Sequence, residues 1–232
     1  MYKVTRLLHV DEAADPATVT AVVREIAIAA ESTQASYSLV APTLPGSRNG
    51  GEVVAHFQFE SESEWSRWRA PIDAATSGSL IDHADSVEYV GGSAIQKHAG
   101  RRTSIHRSTL YRTLLLRVDD SAPKAEVHRF EHAMLQMPEH VTGIQAWQLS
   151  RVTHATGATT WTHVWEQEFI DADALLGSYM NHPIHWGHVD RWFDPECPEQ
   201  IVKDRVCHSF CAMSAPVITD TTPTALSAAQ ER

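Results

Sequence analysis

A phenol and two imidazoles fall within seven residues in Tyr179-Met180-Asn181-His182-Pro183-Ile184-His185. Tyr and His are the side chains that move protons near neutral pH without a metal or an organic cofactor, which makes Tyr179 and His185 the candidate catalytic pair. A neutral His185 could take a proton from a carbon beside a carbonyl while the Tyr179 hydroxyl donates to the oxygen on which charge develops. One preorganised donor of that kind supplies about 3–4 kcal/mol, and positioned proton transfer about 10²–10⁴-fold. Together these suffice for aldol closure, retro-aldol cleavage, dehydration or isomerisation of an activated substrate. Six residues of regular helix would leave the two side chains about 120° out of line. Pro183 redirects the chain and lets them converge on one pocket.

Other residues could bind a substrate there. His182 stands before a proline, where extended backbone suits a capping contact. His163 is expected to face the cavity and to orient His185 or the ligand. Arg112 could pair with Glu166 or hold a substrate carboxylate or phenolate, contacts that are strong and bidentate when water is excluded. Of Trp147, Trp161, Trp165 and Trp186, two are expected to reach a ligand, with Trp161, Trp165 and Trp186 the candidates. His182, His185 and His188 recur every three residues and, with His163, Glu166 or Asp190, could suggest a zinc, copper or iron site. A three-residue step drifts by about 60° on a helix and Pro183 breaks the run, so neither a metal nor a cofactor is expected.

The elements that position these residues read as one βαββαβ unit written twice. The first copy has strands over 4–10, 36–40, 53–59 and 87–95. Its helices run from Pro16 to about Glu31 and from Ser61, which begins a capped helix carrying Trp65 and Trp68. The second copy has strands over 110–118, 144–152, 160–169 and 200–213. Its helices start at Pro123 and at Asp171, with a further turn or two over 186–193. This gives an N-terminal repeat over 1–96, a basic linker over 97–107, a C-terminal repeat over 108–213 and a frayed polar tail over 214–232. Arg69-Ala70-Pro71-Ile72-Asp73 occupies the place of Asn181-His182-Pro183-Ile184-His185, putting Arg67, Ala70 and Asp73 where the second copy has Tyr179, His182 and His185. The proline turn persists and the proton-transfer chemistry does not. Each unit leaves one sheet face uncovered. The expected fold is therefore α+β, with tandem ferredoxin-like repeats pairing their sheets into an intrachain barrel whose interior holds the ligand.

The 232-residue chain carries a net charge of −10, with 43% hydrophobic and 21% charged residues. That balance supports packed cores and argues against nucleic acid or an anionic membrane as partner. No apolar run reaches about 18 residues, and no signal peptide is evident. Cys197, Cys207 and Cys211 are odd in number and show no CxxC spacing, which fits a cytoplasmic protein with reduced thiols. A small-molecule substrate is the expected partner, and a homodimer is compatible with this reading.

The second half resembles the stress-responsive dimeric α/β-barrel (Dabb) family. The resemblance rests on Thr162-His163-Val164 with Glu166, then Phe169-Ile170-Asp171, then Tyr179-x-x-His182-Pro183-x-His185. The first half looks like a diverged copy. Within the family it is similar to the olivetolic acid cyclase type, which closes a linear polyketide thioester by aldol condensation using the Tyr and the final His of this motif. The resemblance implies those roles for Tyr179 and His185, and a cofactor-independent lyase or cyclase acting on an aromatic or polyketide-like carbonyl compound. Arg112 stands where that cyclase type has a first-strand histidine. Two rival readings are a non-catalytic stress-response protein holding a hydrophobic ligand, and a barrel supporting cofactorless monooxygenation or haem or metal chemistry.

Overall fold

The computed structural model describes residues 1–11, 14–91, 98–103, 106–219 and 223–224. The first repeat runs β1 (Tyr2–Val10), α1 (Pro16–Glu31), β2 (Tyr37–Pro42), β3 (Val53–Phe59), α2 (Glu62–Ala75) and β4 (Ile81–Val90). After β5 (Ala99–Arg102), the second runs β6 (Leu110–Val118), α3 (Lys124–His140), β7 (Ile144–Thr156) and β8 (His163–Phe169). Two π-helical turns, Ala174–Tyr179 and His185–Val189, and a 3₁₀ turn, Asp190–Trp192, then lead to β9 (Val202–Ala212) and β10 (Pro223–Thr224). Local chemistry sets the boundaries. Asp15 accepts from Thr18 N–H at the start of α1 and Ser61 from Glu64 N–H at the start of α2, satisfying donors that the first helical turn leaves open.

The strands run β2-β3-β1-β4-β7-β8-β6-β9. Each half thus has the order of a ferredoxin-like repeat, and β4 joins the halves by pairing with β7. The ring closes on the far side, where Thr43 bridges Cys211 and Arg48 bridges His208. Closure removes the free sheet edges and gives the intrachain α/β-barrel. All seven residues of β3 and all seven of β8 are buried. Alternation along these strands therefore separates a lumen face from a helix-facing face, with water on neither.

Polar groups fill much of the lumen. Lys3 Nζ of the first repeat lies 3.2 Å from Glu166 Oε2 of the second, both side chains fully buried. Lys3 also donates to Gln148 Oε1 at 2.9 Å, and the Tyr111 hydroxyl to Glu166 Oε1 at 2.9 Å. Burial, with the Lys3 charge in addition, holds His56 well below the usual imidazole value.

Two sequence expectations change here. Residues 214–219 do not fray: Val217 and Ile218 are buried in the lumen cluster. Glu168 Oε1 accepts from both of their N–H groups, and Gln58 donates to Val217 O. Branched apolar side chains and a carboxylate waiting for two consecutive amides outweigh the polar composition that suggested a tail. The rest of the expected tail, apart from Pro223–Thr224, lies outside the described residues. Within the expected linker, residues 99–102 form β5 on β7, and residues 97, 104 and 105 lie outside the described residues.

Candidate functional site

Tyr179 and His185 come together, outside the barrel lumen. Along β6, Tyr111 and Leu115 face the lumen cluster while Leu110, Leu114 and Leu116 face the helix-side core. Arg112 shares the helix-facing side and donates to the Tyr179 hydroxyl at 3.1 Å. Its guanidinium lies 5.0 Å from the centre of the Tyr179 ring. The Tyr179 and His185 ring centres are also 5.0 Å apart, and Phe169 meets Tyr179 edge-on. The site thus lies between the sheet and the π-helical segment.

The local sequence explains that segment. Asp171 accepts from Ala174 N–H at 2.8 Å and starts the helix. Asn181 donates to Gly177 O, and Pro183, lacking an N–H, ends the first run. A second π turn carries His185. π-helical turns are rare and recur at functional sites.

Tyr179 is 1% exposed and the His185 side chain 15%. Burial, followed by the Arg112 charge, lowers His185 to about 4, leaving a neutral imidazole at physiological pH. Its Nδ1 lies 3.5 Å from Asp190 Oδ1, a carboxyl that burial and Asp194 push up.

Sequence reasoning missed two members of the cluster. Gln167, paired with Arg112 across β6 and β8, accepts from Arg112 NH1. His208, paired with Leu114 across β6 and β9, is driven to about 2 by burial first and then by Arg112, His185 and Arg48. The available signal was strand parity: both share the face of Phe169 and Phe210, which pack on the helix-side core.

The remaining expected contacts fall elsewhere. Arg112 cannot reach Glu166, because Arg112 faces the helices and Glu166 faces the lumen, where Lys3 and Tyr111 hold it. His163 also faces the helix layer, not the lumen. It lies four residues from Gln167 along β8, about 13 Å at strand rise. There it meets Glu131 at 3.2 Å and Thr162 at 2.8 Å. Burial alone would raise Glu131, but hydrogen bonds from His163 and Arg151 hold it at about 2. His182 Nδ1 accepts from Ile184 N–H and shapes the turn. Trp161 faces the lumen cluster and donates to Asp85, Trp165 packs in the helix-side core, and Trp186 is 62% exposed. His163 and Trp161 line one cleft of about 330 Å³. Among the described residues no three His, Cys, Asp or Glu side chains are grouped to hold a metal, and no helix is long and apolar enough to cross a membrane.

Comparison with known proteins agrees with this architecture. The family model of the Stress responsive A/B Barrel Domain matches residues 110–207, the repeat that carries Tyr179 and His185. No curated protein matches the chain in sequence. A solved structure described as an anthrone oxidase-like protein is 10% identical and superposes with a TM-score of 0.66, covering 92% of this chain and 91% of its own. A putative monooxygenase from Lactobacillus acidophilus NCFM is 10% identical, with a TM-score of 0.51 and coverage of 91% and 95%. A mutant chlorite dismutase from Candidatus Nitrospira defluvii is 9% identical, with a TM-score of 0.54 and coverage of 90% of each chain. At such identities the likeness is one of fold.

Proposed function

We propose that the second repeat is a cofactor-independent acid–base catalyst of the lyase or cyclase type, acting on a carbonyl-containing, aromatic or polyketide-like small molecule. The observation that carries the reading is the buried contact of Arg112, Tyr179 and His185 on one side of the sheet. Neutral His185 removes a proton from carbon beside the substrate carbonyl. The Tyr179 hydroxyl, held by Arg112, donates to the oxygen that gains charge as the enolate forms. Burial excludes water and strengthens each of these interactions. With a value of about 4, His185 is a modest base, so the substrate proton must already be activated by a thioester or a second carbonyl. The enolate then attacks a second carbonyl or expels a leaving group, and the imidazolium returns the proton.

The test is deuterium incorporation from solvent into a β-keto thioester and a 1,3-diketone, followed by proton NMR. The native protein should accelerate exchange, and His185→Ala and Tyr179→Phe should each lose at least tenfold of that acceleration. Equal rates in all three proteins would remove the assignment. Because the fold is shared with structures described as anthrone oxidase-like and putative monooxygenase, the same samples should be followed with an oxygen electrode. Oxygen uptake that depends on His185 would make the enolate an intermediate of oxygenation.

A further inference from the structure

We infer that Arg112, Gln167 and His208 form a pocket for an anionic oxygen that the substrate already carries, so the substrate is a carbonyl compound bearing a carboxylate. This rests on the proton-transfer reading of the same site and names its substrate class. Three observations carry it. Arg112 is 3% exposed, and among the described residues its hydrogen bonds go to Gln167 and Tyr179 and to no carboxylate. A buried cation left without a counter-charge costs several kcal/mol, a cost that a bound anion relieves.

The unmet hydrogen-bonding capacity has the matching sign. Arg112 Nε, Gln167 Nε2 and His208 Nε2 are buried without hydrogen-bond partners, and the first two can only donate. Strand register gathers them on one face, with Gln167 opposite Arg112 and His208 opposite Leu114. What the cluster lacks is an acceptor with several lone pairs. The first repeat shows the alternative outcome: Arg6, also buried, meets the Asp73 carboxylate and the Thr76 hydroxyl. Burial and the Arg112 charge keep both neighbouring imidazoles neutral, so Arg112 is the cation to be compensated. The Asp190 carboxylate meets the His185 imidazole at 3.5 Å. The open atom is Nε, whereas NH1 holds Tyr179 and Gln167, so an anion on Nε leaves the Tyr179 contact in place.

The probes are benzoylformate, its methyl ester and inorganic phosphate, titrated by calorimetry into the native protein, Arg112→Gln, Arg112→Lys and Asp73→Ala. Benzoylformate should bind at least tenfold more tightly than its ester and at least tenfold more weakly to Arg112→Gln. Arg112→Lys should keep part of the preference, and Asp73→Ala, in the first repeat, should bind as the native protein does. In the native protein alone, benzoylformate should raise the His185 titration midpoint seen by NMR, and the ester should leave it unchanged. Equal binding of acid and ester, native-like binding by Arg112→Gln, or phosphate binding as tightly as benzoylformate would each overturn the inference. Carboxylate binding together with unchanged exchange in His185→Ala would leave the pocket standing and remove the proton-transfer reading.

Discussion

The two repeats place the same elements around different chemistry. Tyr2 pairs with Phe59 as Leu110 pairs with Phe169, so Val4 corresponds to Arg112 and Phe57 to Gln167. Continuing to the last strand, Ser86 corresponds to His208 and Glu88 to Phe210. The first repeat therefore puts a valine and a phenylalanine where the second puts an arginine and a glutamine. Above them, α2 is a regular helix through Pro71 to Ala75, whereas the second repeat breaks into π-helical turns. The first repeat's arginine, Arg6, is one residue pair further along and is answered by Asp73, which also takes Arg69. One copy closes its charges internally beneath an ordinary helix. The other leaves a buried cation beneath an irregular one, and that is where a ligand has something to gain.

The comparison breaks most severely if the copies are separable folding units. Lys3 and Glu166 join them through the lumen, fully buried. Replacing Glu166 by Ala leaves the Lys3 ammonium without its partner, and losing one member of a buried pair costs about 3–5 kcal/mol. Urea unfolding should show one cooperative transition with a lower midpoint in Glu166→Ala. The double change Lys3→Met/Glu166→Leu should recover most of the loss. Two separated transitions in the native protein would refute the single-barrel account.

Next in size is the functional asymmetry. His185→Ala and Tyr179→Phe should each reduce turnover at least tenfold, while Asp73→Ala, at the equivalent position of the first repeat, should leave it within about twofold. Asp73 is partly exposed and its contacts are ion pairs to Arg6 and Arg69, so its loss should lower the melting temperature and spare the rate. A comparable rate loss from Asp73→Ala would show that the copies share the chemistry.

Much of this asymmetry is legible before any coordinates. The strands over 53–59 and 110–118 follow from β-branched and apolar runs between breakers, and the Pro16 and Ser61 helix starts from capping chemistry. The alignment of Ala70 and Asp73 with His182 and His185 already says that one copy lacks the imidazoles. Face assignment is harder. In a closed barrel both faces of a strand are buried, so apolar–polar alternation no longer marks inside from outside. His163 and Glu166, three apart on β8, necessarily face opposite ways, yet the pattern does not say which faces the lumen. His208 hides for the same reason, between Cys207 and Ser209, which are buried on the opposite face of the strand. The tail's burial depends on Glu168, about fifty residues away, and local composition carries no trace of a partner at that distance.

The smallest effect follows from pH. His185 stands at about 4 in the folded chain against an ordinary 6.5, and His208 at about 2. The unfolded chain therefore binds protons that the folded one refuses. Stability is fully present above about pH 6.5 and falls as pH drops from 6.5 toward 4, by up to about 1.4 kcal/mol per pH unit per proton. Glu131, held at about 2 against 4.5, adds to the loss only below 4.5, so the interval from 6.5 to 4.5 isolates the histidines. Chemical denaturation across that interval should show a slope that flattens in His185→Gln. The buried His56 of the first repeat, also held below its usual value, contributes to the native slope, so the difference between the native protein and His185→Gln is what reports His185. The rate profile should fall below about pH 4 as the base takes a proton, and Arg112→Gln should move that limb upward by removing the second cause of the depressed value. A limb that stays in place would mean that burial alone sets the His185 value, with Arg112 too well screened to act on it.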